Sequence, residues 1–155
     1  MAQAPGTPAP AFTTLDDAFG ILRRSGHRVS APRRIVLQGL LSAGALVTVD
    51  ELTALLEAES TPLDTSVVYR NLETLEAVGL VRHVHCGHGP GRYAIAAGGD
   101  REYLACERCA DVLEVTGDEI EPVRREIMRR FGYRARFTHF PILGLCRACQ
   151  ERDAA

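Results

Sequence analysis

Cys106-Glu-Arg-Cys109 and Cys146-Arg-Ala-Cys149 are the two stretches from which the fold of the C-terminal half can be inferred. Each CxxC turn places two sulfur atoms on one side of the backbone, and residues 110–145 separate the two turns. Four thiolates form the closed tetrahedral shell that Zn²⁺ takes in structural sites, which leaves no open position for a substrate. The pattern therefore predicts a structural zinc site, and its ligands are Cys106, Cys109, Cys146 and Cys149.

Other interpretations of these cysteines stay open at this point. They could be buried free thiols or two disulfides, although disulfides are rare in a chain without a signal peptide. A thiol-disulfide oxidoreductase could use CxxC, but the motif should then open a helix, whereas Ala110-Asp111 leads into a predicted strand. A metallohydrolase would need an open metal site with a general base, and the sequence has no HExxH or comparable cluster.

Length and composition narrow the class of protein. The chain has 155 residues, 46% of them hydrophobic, which is enough for a sizeable core or for two small units. No apolar run is long enough to cross a bilayer, and residues 1–10 lack the charged and apolar regions of a signal peptide. We therefore expect a cytoplasmic protein with no membrane partner and a disordered tail over residues 1–12.

Positive charge is concentrated in one part of the chain, although the net charge is −2. All 18 residues in the Lys+Arg count are arginine, and no acidic residue lies between Asp17 and Asp50. This window should carry a positive field that attracts the DNA backbone. Four of its arginines are expected to neutralise phosphates or to enter the minor groove, and they are Arg23, Arg24, Arg33 and Arg34.

Capping residues and apolar repeats predict four helices between residues 13 and 79. The second begins at Ser30, and the third begins at the capping box Thr48-Val-Asp-Glu51. The fourth begins at Asp64 or Thr65 and has an apolar stripe at helical spacing. The third and fourth helices, joined by a turn, have the size and order of a helix-turn-helix.

After Gly79 the apolar pattern changes from helical to alternating. It predicts strands over 80–85 and 92–95, joined by a turn-rich hairpin tip. A helix-turn-helix followed by a β-hairpin is a winged helix, which here covers residues 13–95. The small, flexible residues over 96–101 then predict a hinge.

Residues 102–155 are expected to form a small α/β dimerisation domain. Strands are predicted over 102–105, 112–116 and 135–145, with a helix over 118–131. A unit of about 55 residues is below the size that folds comfortably alone, so zinc and dimerisation would both supply stability. The predicted fold class is α+β, with an N-terminal winged helix-turn-helix followed by a small domain that carries the CxxC pairs.

The stretches Thr65-Ser-Val-Val-Tyr-Arg-Asn-Leu72 and Arg28-Val-Ser-Ala-Pro-Arg-Arg34, together with the CxxC pairs, resemble the ferric uptake regulator (Fur) superfamily over Thr14–Cys149. The resemblance implies a metal-responsive, homodimeric winged-helix repressor with structural Zn²⁺ and a regulatory metal at the hinge. His83-x-His85 and His139-Phe140 are most similar to the nickel-responsive (Nur) branch. The implied partner is double-stranded DNA with a (pseudo)palindromic operator.

The run before Cys106 departs from the family pattern. Family members carry an HxH or HHH run there that supplies ligands to a sensing site, but this chain reads Gly99-Asp-Arg-Glu-Tyr103. In the hinge site that remains, the ligands are His83, His85 and His139, and they bind a second divalent transition metal (Zn²⁺, Ni²⁺ or Fe²⁺). Residues i and i+2 of a strand point to the same face, so the first two imidazoles can converge on one ion.

Alternatives to this regulatory site remain. Cys86 and His88 lie at the predicted hairpin tip and are either additional ligands or exposed turn residues; a thiolate would favour Zn²⁺ or Cu(I) over Ni²⁺. Each histidine could also be an ordinary hydrogen-bonded residue. The alternative function is a zinc-containing repressor of the same fold that has lost metal sensing or that senses oxidation.

The N-terminal part of the fourth helix is predicted to read DNA. A helix fits the major groove, and residues near its N-terminus reach base edges, which we expect of Ser66, Tyr69 and Arg70. Arg70 could donate two hydrogen bonds to guanine, and the ring of Tyr69 could touch a thymine methyl. Otherwise Tyr69 would be a packed aromatic residue and Arg70 would lie on a solvated helix face.

Overall fold

A computed structural model describes residues 12–86, 89–97, 101–137 and 141–153. The chain divides into two units, Met1–His83 with Gly91–Gly99 and Val84–Pro90 with Asp100–Ala155. Each unit combines helices with strands, so the predicted α+β class is confirmed. No helix formed by the described residues has the length and apolar character needed to cross a membrane.

Four helices lie in the described part of the first unit, and they are α1 (Leu15–Arg24), α2 (Ala31–Ala43), α3 (Val49–Ala58) and α4 (Thr65–Ala77). The predicted capping box begins α3: the amide of Glu51 donates to Thr48 Oγ1 at 3.1 Å, and the amide of Thr48 donates to Glu51 Oε2 at 2.7 Å. Ser30 makes no side-chain bond to α2, whose first turn contains Pro32 instead.

The core of the first unit includes buried leucines from α2, α3 and α4. Leu37, Leu52 and Leu72 have no exposed surface. Gly39 allows α2 and α3 to approach closely, because a Cβ at this position would lie only 2.8 Å from Cδ2 of Leu56. The packing buries one face of α4 and leaves its opposite face available to a ligand.

A three-stranded sheet follows these helices and gives the first unit its winged-helix architecture. Its strands are β1 (Val47–Thr48), β2 (Val81–Val84) and β3 (Arg92–Ile95). β3 lies between the other two, and β1 pairs with it antiparallel, with Val47 opposite Tyr93. β2 and β3 are the predicted hairpin strands. β1 was not predicted, because two residues are too few for an alternating pattern to be recognised.

The described part of the second unit contains three strands and two helices, and they are β4 (Arg101–Cys106), β5 (Val112–Thr116), α5 (Gly117–Phe131), β6 (Ile142–Gly144) and α6 (Arg147–Asp153). β4 lies in the middle of the sheet, antiparallel to β5 and parallel to β6. A capping box of Thr116 and Glu119 begins α5, and Gly132, with a left-handed φ of 70°, ends it.

One predicted strand is shorter than expected. The sequence predicts a strand over 135–145, but the structure has only β6 at Ile142–Gly144, and residues 132–137 form no strand. Residues 138–140 lie outside the described part. Both edges of β4 are paired with β5 and β6, so the chain before β6 finds no free edge on that strand. The helix α6 was not predicted.

Candidate metal centre and nucleic-acid interface

The four cysteines of the CxxC pairs lie together in the second unit. Their Sγ atoms are all within 4.8 Å of one another, and those of Cys109 and Cys146 are 3.7 Å apart. Four thiolates bound at about 2.3 Å to one Zn²⁺ would lie about 3.8 Å apart at the corners of a tetrahedron. The group therefore has the donor atoms and the size that a zinc ion requires.

The backbone sets the positions of the sulfur atoms. In the first turn the amide of Ala110 donates to the carbonyl of Cys106 at 3.0 Å, and Ala110 has a left-handed φ of 59°. In the second turn the amide of Cys149 donates to the carbonyl of Cys146, also at 3.0 Å. The first turn follows β4 and the second follows β6. Because these strands are parallel neighbours, both turns lie at the same end of the sheet.

Hydrogen bonds give the thiols of Cys106 and Cys109 different acidities. The amide of Cys146, which donates to Cys106 Sγ at 3.4 Å, and then the amides of Cys109 and Arg108 lower the pKa of Cys106 to about 6. The amide of Asp111 lowers the pKa of Cys109, but the neighbouring sulfur atoms outweigh it and raise that pKa to about 12. The thiol of Cys106 thus ionises readily whereas that of Cys109 resists ionisation, and a dication bound to both sulfur atoms would favour their thiolate forms.

Two arginines that the sequence analysis did not single out contact the cysteine group. Arg152 Nη2 lies 2.7 Å from Cys149 Sγ, and Arg108 Nη1 donates to the carbonyl of Cys149 at 3.3 Å. Arg108 lies inside the first CxxC, and Arg152 is three residues beyond the last cysteine. This closeness in sequence was the available signal, although it does not say where a long side chain will point.

The structure does not show the histidines of the predicted regulatory site as a cluster, because only His83 and His85 lie among the described residues. His83, on β2, stacks on Tyr93 with ring centroids 4.4 Å apart, and its Nδ1 lies 3.7 Å from Glu76 Oε2. His85 is exposed and Cys86 is half-buried, while His139 and His88 lie outside the described residues. Within the described ranges, the four cysteines are the only group of three or more candidate metal ligands whose donor atoms lie within 4.8 Å of one another. The hinge site therefore stays a prediction.

The outer face of α4 carries the side chains predicted to read DNA. Ser66, Tyr69 and Arg70 are exposed at i, i+3 and i+4 spacing, and 46% of the Tyr69 surface is accessible. Val68 and Leu72 lie on the opposite face and have no exposed surface. Tyr69 is therefore not a core aromatic residue, and α4 presents a polar face of a size that suits the major groove.

The four arginines predicted to bind the DNA backbone fall into two groups. Arg23 and Arg24 are exposed in the last turn of α1. Arg33 donates to the carbonyl of Arg28, and the guanidinium of Arg34 lies 4.5 Å from the centre of the Phe19 ring. The first pair is available to a phosphate as it stands. Arg33 and Arg34 also hold the segment between α1 and α2 in place.

Comparisons with known proteins agree with this architecture. A family model described as the ferric uptake regulator family matches residues 24–140. The peroxide-responsive repressor PerR of Staphylococcus aureus (strain USA300) is 21% identical over 138 residues, which cover 89% of this chain and 93% of that protein. The structure of the Helicobacter pylori ferric uptake regulator Fur is similar with a TM-score of 0.71 at 24% identity, covering 91% of this chain and 97% of that one. A zinc uptake regulator complexed with zinc and DNA gives a TM-score of 0.54 at 24% identity, with 91% and 95% covered.

Proposed function

Because the chain belongs to the ferric uptake regulator family, we propose that it is a metal-responsive, homodimeric transcriptional repressor rather than an enzyme. The observation that carries this proposal is the outward face of α4, which presents Ser66, Tyr69 and Arg70 on a winged helix. The same chain holds four cysteines arranged for zinc. A zinc uptake regulator of similar fold is known in complex with zinc and DNA. The proposed localisation is the cytoplasm, where a protein that binds a DNA operator would act.

Zinc at Cys106, Cys109, Cys146 and Cys149 has a structural role in this proposal. Four sulfur ligands fill the coordination shell of Zn²⁺ and leave no position for a substrate or a reactive water. The ion would join the turn after β4 to the turn after β6. Its binding would supply the folding free energy that the hydrophobic core of so small a unit cannot provide. The proposed domains are residues 13–95 for DNA binding, a hinge over 96–101, and residues 102–155 for dimerisation and metal binding.

Dimerisation is supported by apolar side chains that α5 leaves uncovered. Val123 is 45% exposed and Phe131 is 69% exposed, and both line a groove on this helix with Pro122 and Ile127. Helical spacing in the sequence places Ile120, Val123, Ile127 and Phe131 on one apolar face of α5, yet Ile120 is the only buried residue of this helix among those described. A second copy of the chain would cover this apolar face. Residues 132–137 could then form a strand that pairs with a strand of the second copy.

The regulatory metal is proposed to bind His83, His85 and His139, and its identity is Zn²⁺, Ni²⁺ or Fe²⁺. Cys86 and His88 are the further candidate ligands. A metal held by ligands from both sides of the hinge would favour the arrangement that binds DNA, because it binds that arrangement more tightly than any other.

One observation favours the alternative, a zinc-containing repressor without this metal response or one that senses oxidation. Where the family resemblance implies histidine ligands before Cys106, the chain has Glu102, which is fully buried and ion-paired with Arg124. An arginine counter-ion at this carboxylate neutralises the charge that a metal would otherwise balance. Among the described residues of this run, Glu102 is thus paired with a protein cation, and this pairing favours the alternative.

Operator binding with and without metal tests both functions. Duplexes selected from a randomised library by the zinc-loaded protein would provide the ligand, and fluorescence anisotropy would give its affinity with added Zn²⁺, Ni²⁺, Fe²⁺ or Mn²⁺. A gain with one metal supports the metal-responsive repressor. Sequence-specific binding that no metal changes supports the alternative. Dithiol reductase activity without specific DNA binding would instead make the protein a CxxC enzyme.

A further inference from the structure

A guanidinium group lies against one sulfur of the cysteine cluster. Arg152 Nη2 is 2.7 Å from Sγ of Cys149, which has no exposed surface. The two residues are three apart on α6, where side chains at this spacing lie on the same face of a helix. Hydrogen bonds from a cationic donor to an anionic acceptor are shorter and stronger than bonds between neutral groups. The contact is therefore suited to the thiolate form of Cys149.

A second arginine holds α6 against the first cysteine turn. Arg108, between Cys106 and Cys109, donates to the carbonyl of Cys149 at 3.3 Å and forms an ion pair with Asp153. These bonds cross 41 and 45 residues of sequence. They fix the end of α6, and with it the backbone from which Arg152 reaches the sulfur.

We infer that Arg152 is a positioning residue that stabilises the zinc–thiolate centre from outside the coordination shell, and that Arg108 orients the helix from which it acts. This inference rests on the zinc site proposed above. Four thiolates around Zn²⁺ carry a net charge of −2, and a cation placed beside one of them lowers the electrostatic cost of the centre. A sulfur engaged by a guanidinium is also less available to a competing metal.

The cluster should consequently release zinc from one side. Cys109 is exposed, whereas Cys149 is buried and engaged by Arg152. A chelator would first displace Cys109 and would displace Cys149 last. Loss of the guanidinium would remove the restraint on this last step, so zinc would leave faster and bind more weakly.

Zinc transfer from the full-length protein tests the inference. The zinc-loaded chain and its variants would be mixed with excess 4-(2-pyridylazo)resorcinol to measure the release rate, and competition with a chelator of known affinity would give the zinc affinity. Arg152→Gln should release zinc about 10-fold faster and bind it about 10-fold more weakly, as is usual when an outer-shell partner of a metal ligand is removed. Arg152→Lys, which keeps the charge but not the planar fork, should fall between Arg152→Gln and the wild type.

The matched control is Arg125→Gln, which removes the same charge from an exposed position of α5 outside both CxxC turns and should leave zinc release at the wild-type rate. A wild-type rate in Arg152→Gln, or an equal change in Arg125→Gln, overturns the inference. Circular dichroism checks folding, and if Arg152→Gln does not fold, a wild-type rate in Arg152→Lys overturns it. A wild-type protein without one equivalent of zinc, or a Cys109→Ser variant that retains it, overturns the zinc site itself.

Discussion

Arg124 of α5 forms an ion pair with Glu102 of β4 inside the second unit. Glu102 has no exposed surface and the Arg124 side chain is 18% exposed, so the pair is largely screened from water. A buried ion pair adds little stability compared with a hydrophobic pair of the same shape. Removing one partner is nevertheless costly, because the other charge loses its counter-ion. The pair therefore makes the packing of α5 on the sheet sensitive to a single substitution.

Arg124→Met should lower the free energy of unfolding by about 3–5 kcal/mol, because the buried carboxylate of Glu102 would lose its ion pair with the Arg124 guanidinium. Urea unfolding of the zinc-loaded protein would measure the change. Arg125→Met, at the exposed neighbouring position of α5, is the control and should change stability little. An equal decrease in the free energy of unfolding in both variants would show that the Glu102–Arg124 ion pair does not stabilise the fold.

Cys109→Ser should lose zinc and the dimer together. Binding of a structural zinc contributes on the order of 10 kcal/mol to the folding of small zinc units, and three thiolates cannot close the shell. Metal analysis and light scattering provide the readouts. Cys86→Ser is the control and should keep one structural zinc, because Cys86 is not part of the four-sulfur group. Full zinc retention and an intact dimer in Cys109→Ser would refute the structural role.

Arg70→Ala should relax sequence preference at one base pair in each half-site, at a cost of about 1–3 kcal/mol in operator affinity. Arg70 is exposed on the face of α4 that carries Tyr69 and Ser66. Arg23→Ala, at the exposed end of α1, should weaken binding to all sequences about equally and reduce the salt slope by about one charge. Selection from a randomised library and affinity at several salt concentrations separate the two effects. Identical profiles would mean that α4 is not the recognition helix.

His85→Ala and His139→Ala should each abolish metal enhancement of operator binding while zinc, the dimer and basal DNA binding persist. A coupling of about 1–3 kcal/mol would give the wild type a 5- to 150-fold gain on metal addition. Fluorescence anisotropy with and without the activating metal provides the measurement. His27→Ala, in the segment between α1 and α2, is the matched control. An undiminished response in His139→Ala would move the sensor to Cys86 and His88.

Glu51→Gln should make the stability of the protein less dependent on pH in the acid range. The amide of Thr48 lowers the pKa of Glu51 below its usual 4.5, so the charged cap stabilises the fold above that pH. This contribution is lost as the pH falls through the lower folded-state pKa. The difference between wild type and Glu51→Gln, a few tenths to about 1 kcal/mol at pH 7, should therefore vanish in acid. Urea unfolding over a pH series measures it, and Glu57→Gln at the other end of α3 serves as control.

Local features of the fold were predictable from the sequence because the groups that interact are close in the chain. The capping box of Thr48 and Glu51 spans three positions, and its two hydrogen bonds are present. The CxxC spacing constrains two sulfurs at a time, and the apolar repeat of α4 places Val68 and Leu72 in the core. Each of these depends on the 3.6-residue period or on a turn of fixed length.

Contacts between distant residues were decided only by the tertiary structure. Glu102 and Arg124 are 22 positions apart, and nothing in the local pattern of either residue identifies the other as its partner. The same holds for Arg108 and Asp153 across 45 positions.

The strand predicted over 135–145 shows the same limit. Alternation shows that a segment can be a strand, but a strand forms only where a neighbouring edge offers hydrogen-bond partners. In the second unit Ile142–Gly144 pairs with one edge of β4, whereas residues 132–137 form no strand. The sequence by itself determined the caps, the helical faces and the cysteine turns. The tertiary structure decided which of these elements meet, because pairing and charge burial depend on positions that only the folded chain brings together.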